Sequence, residues 1–132
     1  MTTLITPIYA AVLALLFAAL SIRTIALRRR LQVAIGDAGN KTMLRAVRVH
    51  ANFAEYVPFT LLLTLMLELQ RTPAALVHAL GACLLIGRSV HAYGVSQTPE
   101  TFAFRVAGMM LTLTALIGSA LALLLALSGT FG

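Results

Sequence analysis

The stretch that decides the fold reads Arg45-Ala-Val-Arg48-Val-His50-Ala-Asn52-Phe-Ala-Glu55-Tyr56-Val-Pro58-Phe59, a polar cluster running directly into apolar sequence. At about 100° per residue on a helix, Arg45, Arg48, Asn52, Glu55, Tyr56 and Phe59 fall within an arc of about 100°. Two guanidinium groups, an amide, a carboxylate and a phenol thus share one face. An ionisable group at membrane depth costs at least about 2.5–3.5 kcal/mol, so it faces protein or water and marks a functional site.

The surrounding composition places this face in a membrane. The chain has 132 residues, of which 60% are hydrophobic and 11% charged, with a mean hydropathy of +0.94. A soluble domain carries far more charge. A bilayer core takes about 20 apolar residues per helical span, so the length admits four spans and no separate soluble domain. The pattern predicts an all-α integral membrane protein, a four-helix bundle over residues 1–132, with spans at about 4–27, 43–69, 73–95 and 99–127. The start, Met1-Thr-Thr-Leu4, lacks a basic leader and cleavage site, which predicts a retained first helix.

Local signals mark the boundaries. Pro7 stands near the start of the first span, and Arg28-Arg29-Arg30 closes it. Gly36-Asp37-Ala38-Gly39-Asn40 reads as a turn without a phosphate-binding fingerprint. Asn40 or Thr42 is expected to cap the second span, and Pro58 inside it is expected to kink the helix and free the carbonyl of Ala54. Thr72-Pro73 and Thr98-Pro99-Glu100 read as a cap followed by proline at the first helical position, opening the third and fourth spans.

Charge sets orientation and excludes some partners. The formal net charge is +6, but the basic residues sit at the ends of apolar runs, which favours anionic lipid headgroups over nucleic acid. Arg28, Arg29, Arg30, Lys41, Arg45 and Arg48 surround the first connection, whereas the second has Arg71 alone. The first and third connections are therefore expected on the cytoplasmic side, with both termini opposite. This gathers Arg28 to Arg30, the Arg45–Glu55 face, Arg88, His91 and Arg105 at one membrane surface.

On the third span Arg88, His91 and Val95 share a face, while Tyr93 points about 140° from Arg88. On the fourth, Arg105 lies within two turns of a helix N-terminus, where dipole and guanidinium both favour an anion. His50, His78 and His91 are far apart in sequence, His50 lies opposite Asn52, and Cys83 is the single cysteine, in an apolar run. No metal site is expected, and Cys83 reads as a core thiol. Arginine forks bind carboxylates and Glu55 can hold an ammonium group, so the set suits a small zwitterion richer in acid than in amine. Arg48 with Glu55 also reads as a structural ion pair.

These residues resemble the MAPEG family, the membrane-associated proteins in eicosanoid and glutathione metabolism that include microsomal glutathione transferases. The resemblance rests on Arg45-x-x-Arg48-x-His50-x-Asn52-x-x-Glu55-Tyr56-x-Pro58, on Gly87-Arg88-x-x-His91 and on Arg105, and it covers essentially the whole chain. The loop Val33 to Gly39 and the run Val49 to Pro58 are similar to the bacterial inner-membrane branch. The resemblance implies a homotrimer that binds glutathione as co-substrate between subunits near the cytoplasmic surface, with a hydrophobic electrophile arriving from the bilayer. It implies that Arg48, Asn52, Glu55, Tyr56 and one of Arg28, Arg29 and Arg30 line the glutathione site, that Arg88 and His91 flank it, and that Arg105 stabilises the thiolate. Leu44 stands where many members have glutamate, and Val95 where many have tyrosine. Three functions follow as expectations: a glutathione transferase with peroxidase activity, a non-catalytic lipid- or partner-binding protein, and a proton-coupled exporter using Glu55.

Overall fold

A computed structural model describes residues 4–129; the residues Met1 to Thr3, read above as part of a retained start, lie outside them. The described residues form four helices and no strand: α1 (Thr6–Leu31), α2 (Lys41–Leu69), α3 (Ala74–Ser96) and α4 (Phe102–Leu127). Three of them, α1, α3 and α4, are long and apolar enough to cross a bilayer. At 29 residues α2 is about 44 Å long, but it carries the polar face quoted above.

The ends show which local signals prevailed. Pro7 lies in the first turn of α1, where its missing amide hydrogen costs nothing. The helix continues one turn beyond the apolar run through Arg28, Arg29 and Arg30, cations that suit the negative end of its dipole. The connection 32–40 turns at Gly36 (φ +69°) and Gly39 (φ +72°), and the Asp37 carboxylate accepts from the Gly39 amide at 2.9 Å. Of the two expected caps for α2 it is Asn40 that acts, its Oδ1 accepting from the Met43 amide at 3.0 Å. α2 runs uninterrupted through Pro58 to Leu69.

Two expected starts are displaced. Thr72 does not cap α3: its hydroxyl donates at 3.2 Å to the Leu67 carbonyl at the end of α2, which also accepts the Gln70 amide, and Pro73 takes the N-cap position. Nor does α4 open at Pro99. Its first residue is Phe102, after Thr101 at the N-cap, because Thr98, Pro99 and Glu100 form a connection from which Glu100 reaches Arg45 on α2.

Packing brings the odd connections together. α3 and α4 approach most closely at glycines: a Cβ at Gly108 would stand 2.5 Å from the His91 nitrogen, and one at Gly87 would stand 3.0 Å from the Gly108 carbonyl oxygen. Small residues at such crossings let backbones meet. α2 touches every other helix, whereas α1 and α4 do not touch. The core runs between them through Leu13, Val49, Phe53, Val57, Leu84 and Ala115, with a buried Thr64–Ser119 hydrogen bond of 3.0 Å farther along. Arg23 donates to the Ser96 hydroxyl at 2.6 Å and Arg45 to the Val95 carbonyl at 3.3 Å. These contacts tie α1, α2 and the end of α3 into one polar layer.

Candidate functional site

That layer contains a cavity of about 400 Å³. α2 supplies Lys41, Leu44, Arg45, Arg48 and Asn52; α3 supplies His91 and Val95; Glu100 comes from the connection 97–101 and Arg105 from the first turns of α4. Helical spacing accounts for the set, since residues at 41, 45, 48 and 52 are stacked one turn apart.

One buried cation braces the wall. Arg88 is only 1% exposed, and its guanidinium donates to Asn52 Oδ1 at 2.6 Å and to the Asn52 carbonyl at 3.4 Å. Its other terminal nitrogen reaches Met109 Sδ at 3.3 Å, and its carbon stands 5.8 Å from the centre of the Tyr56 ring. Its Nε is buried without a hydrogen-bond partner. Arg88 therefore sits behind the cavity and fixes Asn52; it does not line the cavity. His91 lies beside it, buried, with its backbone against Gly108.

Glu100 is the residue sequence reasoning missed. Its two oxygens take Arg45 Nη1 at 3.0 Å and Arg105 Nη1 at 3.1 Å, and these are the ion pairs between side chains of the described residues. The hydrogen bond from Arg45 acts most strongly on the Glu100 carboxyl; desolvation opposes it, and the Arg105 hydrogen bond with the charge of both arginines keeps the group below the usual carboxylate range. The signal available was scarcity: the chain has four acidic residues, and this one precedes an arginine by five positions.

The remaining expected residues divide. Arg48, Asn52, His91 and Arg105 meet at the cavity. Glu55 is exposed on the outer side of α2, and Tyr56 is half-buried under Arg88. The expected Arg48–Glu55 ion pair does not form: of the acids, it is Glu100 that pairs with arginine. Arg28 turns to its own loop, donating to the Gly36 carbonyl at 2.9 Å and the Val33 carbonyl at 3.4 Å. Arg29 and Arg30 stand with Ile22 and Ile25 on the outside of α1. Tyr93 faces outward against Phe104, with ring centres 5.7 Å apart. Cys83 packs against the core, His50 bonds Ser21 at 2.9 Å, and among the described residues no three His, Cys, Asp or Glu side chains gather as metal ligands.

Residues 6–125 match the MAPEG family profile. Inner membrane protein YecN of Escherichia coli strain K12 is 36% identical over 114 residues, covering 86% of this chain and 86% of that protein. The protein of the same name from Escherichia coli O6:H1 strain CFT073 matches equally. The apolar helices, the Arg48–Asn52–Glu55–Tyr56 face and this match along most of the chain agree: the protein is a membrane protein of the MAPEG family.

Proposed function

We propose that the protein is a membrane-bound glutathione-dependent transferase that also uses the glutathione thiolate to reduce peroxides. The observation that carries this reading is the single cavity on which Arg48, Asn52, His91 and Arg105 converge from three helices, with cations in excess over the one carboxylate, Glu100. Such a donor set fits glutathione, which has two carboxylates, one ammonium and a thiol. Arg48 grips a carboxylate, Asn52, held by Arg88, orients the peptide, and Arg105 lies beside the thiol.

The size of the thiol effect is sufficient. A thiol of pKa about 8.5 is about 3% ionised at pH 7, and lowering that pKa by about two units raises the fraction to about 75%. The shift corresponds to about 2.7 kcal/mol, within the reach of one guanidinium in a poorly solvated site. Attack by the thiolate on an electrophilic carbon forms a thioether and expels the leaving group. Attack on a peroxide oxygen forms an S–O bond as the O–O bond breaks and the alcohol leaves, and a second glutathione thiol then converts the sulfenic acid to disulfide and water.

Glu55, Tyr56, Arg29 and Arg30 complete the site in a homotrimer. Arg48, Asn52, Glu55 and Phe59 form a stripe along α2 that opens away from the protomer, with Phe59 58% exposed. A charged stripe on a helix of bilayer length favours a neighbouring subunit over lipid, and glutathione would then meet Glu55 and the α1 arginines across that interface. We place the chain as a single four-span domain, in the bacterial inner membrane as the name of its relative YecN suggests. The connections 32–40 and 97–101 would then be cytoplasmic.

A second reading, a non-catalytic binding protein, draws on the engagement of Arg105 by Glu100. An ultraviolet difference spectrum separates the two. Titrating glutathione into purified protein is expected to give a saturable thiolate band, and Arg105→Ala to lower the thiolate fraction at pH 7 about 25-fold. Binding without the band, in the unaltered protein, supports the second reading.

A further inference from the structure

Glu100 stands where a ligand anion is expected, and the proposed function gives it no task. It comes from the connection between α3 and α4 and is 21% exposed, against 25% for Arg45 and 51% for Arg105. Its two oxygens divide between guanidiniums of different helices, at 3.0 and 3.1 Å, the distances at which those groups would hold an incoming carboxylate. Lys41 and Arg48 line the same cavity without an ion-pair partner among the described residues. The cavity therefore has two cations already occupied by the chain's own carboxylate and two that are free.

We propose that Glu100 determines which ligands reach Arg105: it holds the place of an anionic group, and a ligand gains Arg45 and Arg105 by bringing an anion of its own in exchange. A ligand with one carboxylate is satisfied by Lys41 and Arg48 and leaves Glu100 where it is. A ligand that carries a second negative charge, on a further carboxylate or thiolate or within one group as in sulfate, displaces it. The exchange is nearly balanced, because one anion replaces another on the same guanidiniums and Glu100 returns to water at the end of the bundle, beside the exposed Thr98 and Pro99. A neutral group offers no such replacement and leaves the pairing unbroken. The site thus selects for dianionic ligands. The identity of that dianion as glutathione rests on the function proposed above; the role of Glu100 does not.

The test compares the full chain with Glu100→Gln and Glu100→Asp, purified in detergent and checked for unchanged helical content and oligomeric state. Two quantities are read: the rate at which phenylglyoxal modifies Arg45 and Arg105, followed by mass spectrometry, and the binding of sulfate and of glutathione at fixed ionic strength. Without ligand, Glu100→Gln is expected to speed modification of both arginines several-fold and to bind sulfate about tenfold more tightly. Glu100→Asp keeps the charge but is one methylene too short to span both guanidiniums, so modification of at least one arginine should rise there too. Equal modification rates in all three proteins overturn the proposal, as does a rise confined to Glu100→Gln, which would reduce Glu100 to a general field effect. Weaker sulfate binding by Glu100→Gln also overturns it and makes Glu100 a positioning residue for Arg105. If sulfate and modification behave as expected while glutathione binds none of the proteins, the exchange stands and the glutathione reading falls.

Discussion

At the end of the bundle that carries the connections 32–40 and 97–101, Glu100 is held by two long arginine side chains beside a cavity. At the other end Glu68, in the last turn of α2, receives the backbone amides of Ile5 and Thr6, the latter at 2.9 Å. There the carboxylate closes the N-terminus of α1, whose amides have no partner within the helix and whose dipole favours a negative charge. Nearby, Tyr9 hydroxyl and His78 Nδ1 are 3.1 Å apart. Backbone amides do not move away from a helix end, whereas arginine side chains have many rotamers and other anions to bind. The same residue type therefore serves as a fixed cap at one end and as an exchangeable partner at the other.

The largest expected effect comes from breaking the cavity end at its narrowest packing. Gly108→Ala would set a Cβ 2.5 Å from the His91 nitrogen and 2.6 Å from the Gly87 carbonyl oxygen, and both are backbone atoms that cannot rotate aside. Forcing α4 from α3 is expected to cost about 1–3 kcal/mol, read as a lower thermal midpoint in detergent. Ligand affinity should fall with it, because His91 and Arg105 lie on the two helices being separated. An unchanged midpoint would mean that the helices approach less closely than described.

A smaller effect sharpens the contrast from the opposite end. Glu68→Gln keeps an oxygen for only one of the two amides, Ile5 or Thr6, which in the natural chain bond to different oxygens, and it removes the charge, so the cap weakens by about 1 kcal/mol. Hydrogen exchange at the first amides of α1 should quicken. Sulfate and glutathione binding should stay as they are, since the cavity is lined from the other end of α2. A change in ligand affinity would show that the two ends are coupled, and that Glu68 does more than close a helix.

The cavity end was legible in the sequence in part, for reasons that separate residue by residue, whereas the Glu68 cap was not read from it. Arg48, Asn52, His91 and Arg105 were readable because helical periodicity alone puts each on a face, and membrane depth gives a polar face few places to go. Periodicity also placed Glu55 on the Arg48 face correctly. It does not tell whether a face closes over a cavity or opens away from the protomer, and Glu55 lies on the open part. The choice among Arg28, Arg29 and Arg30 was left open for a related reason: an arginine at a helix end can snorkel, bind a ligand or hold its own loop, and in this structure Arg28 holds the carbonyls of Val33 and Gly36. Glu100 was hidden most completely. An acid after Thr-Pro reads as an ordinary first-turn residue, and only the approach of α2 to the connection 97–101 reveals its pairing with Arg45, 55 positions away.

The smallest effect expected concerns the pH response of that pairing. Arg45 and Arg105 hold the Glu100 carboxyl below its ordinary range. A carboxyl with a depressed folded-state value contributes stability that is complete above the unfolded value, about 4.3, and is lost as pH falls through the folded one. Because Glu100 is partly exposed and its partners more so, the contribution is below about 1 kcal/mol. Acid titrations of thermal stability from pH 6 to pH 3 should therefore fall slightly more steeply for the natural chain than for Glu100→Gln, the difference isolating Glu100 from the other three acids. Saturating sulfate should erase that difference, because the anion replaces Glu100 on the guanidiniums and leaves its carboxyl in water. A difference that persists in sulfate would mean that Glu100 keeps its arginines when a dianion is bound. The cavity end would then be as fixed as the Glu68 end.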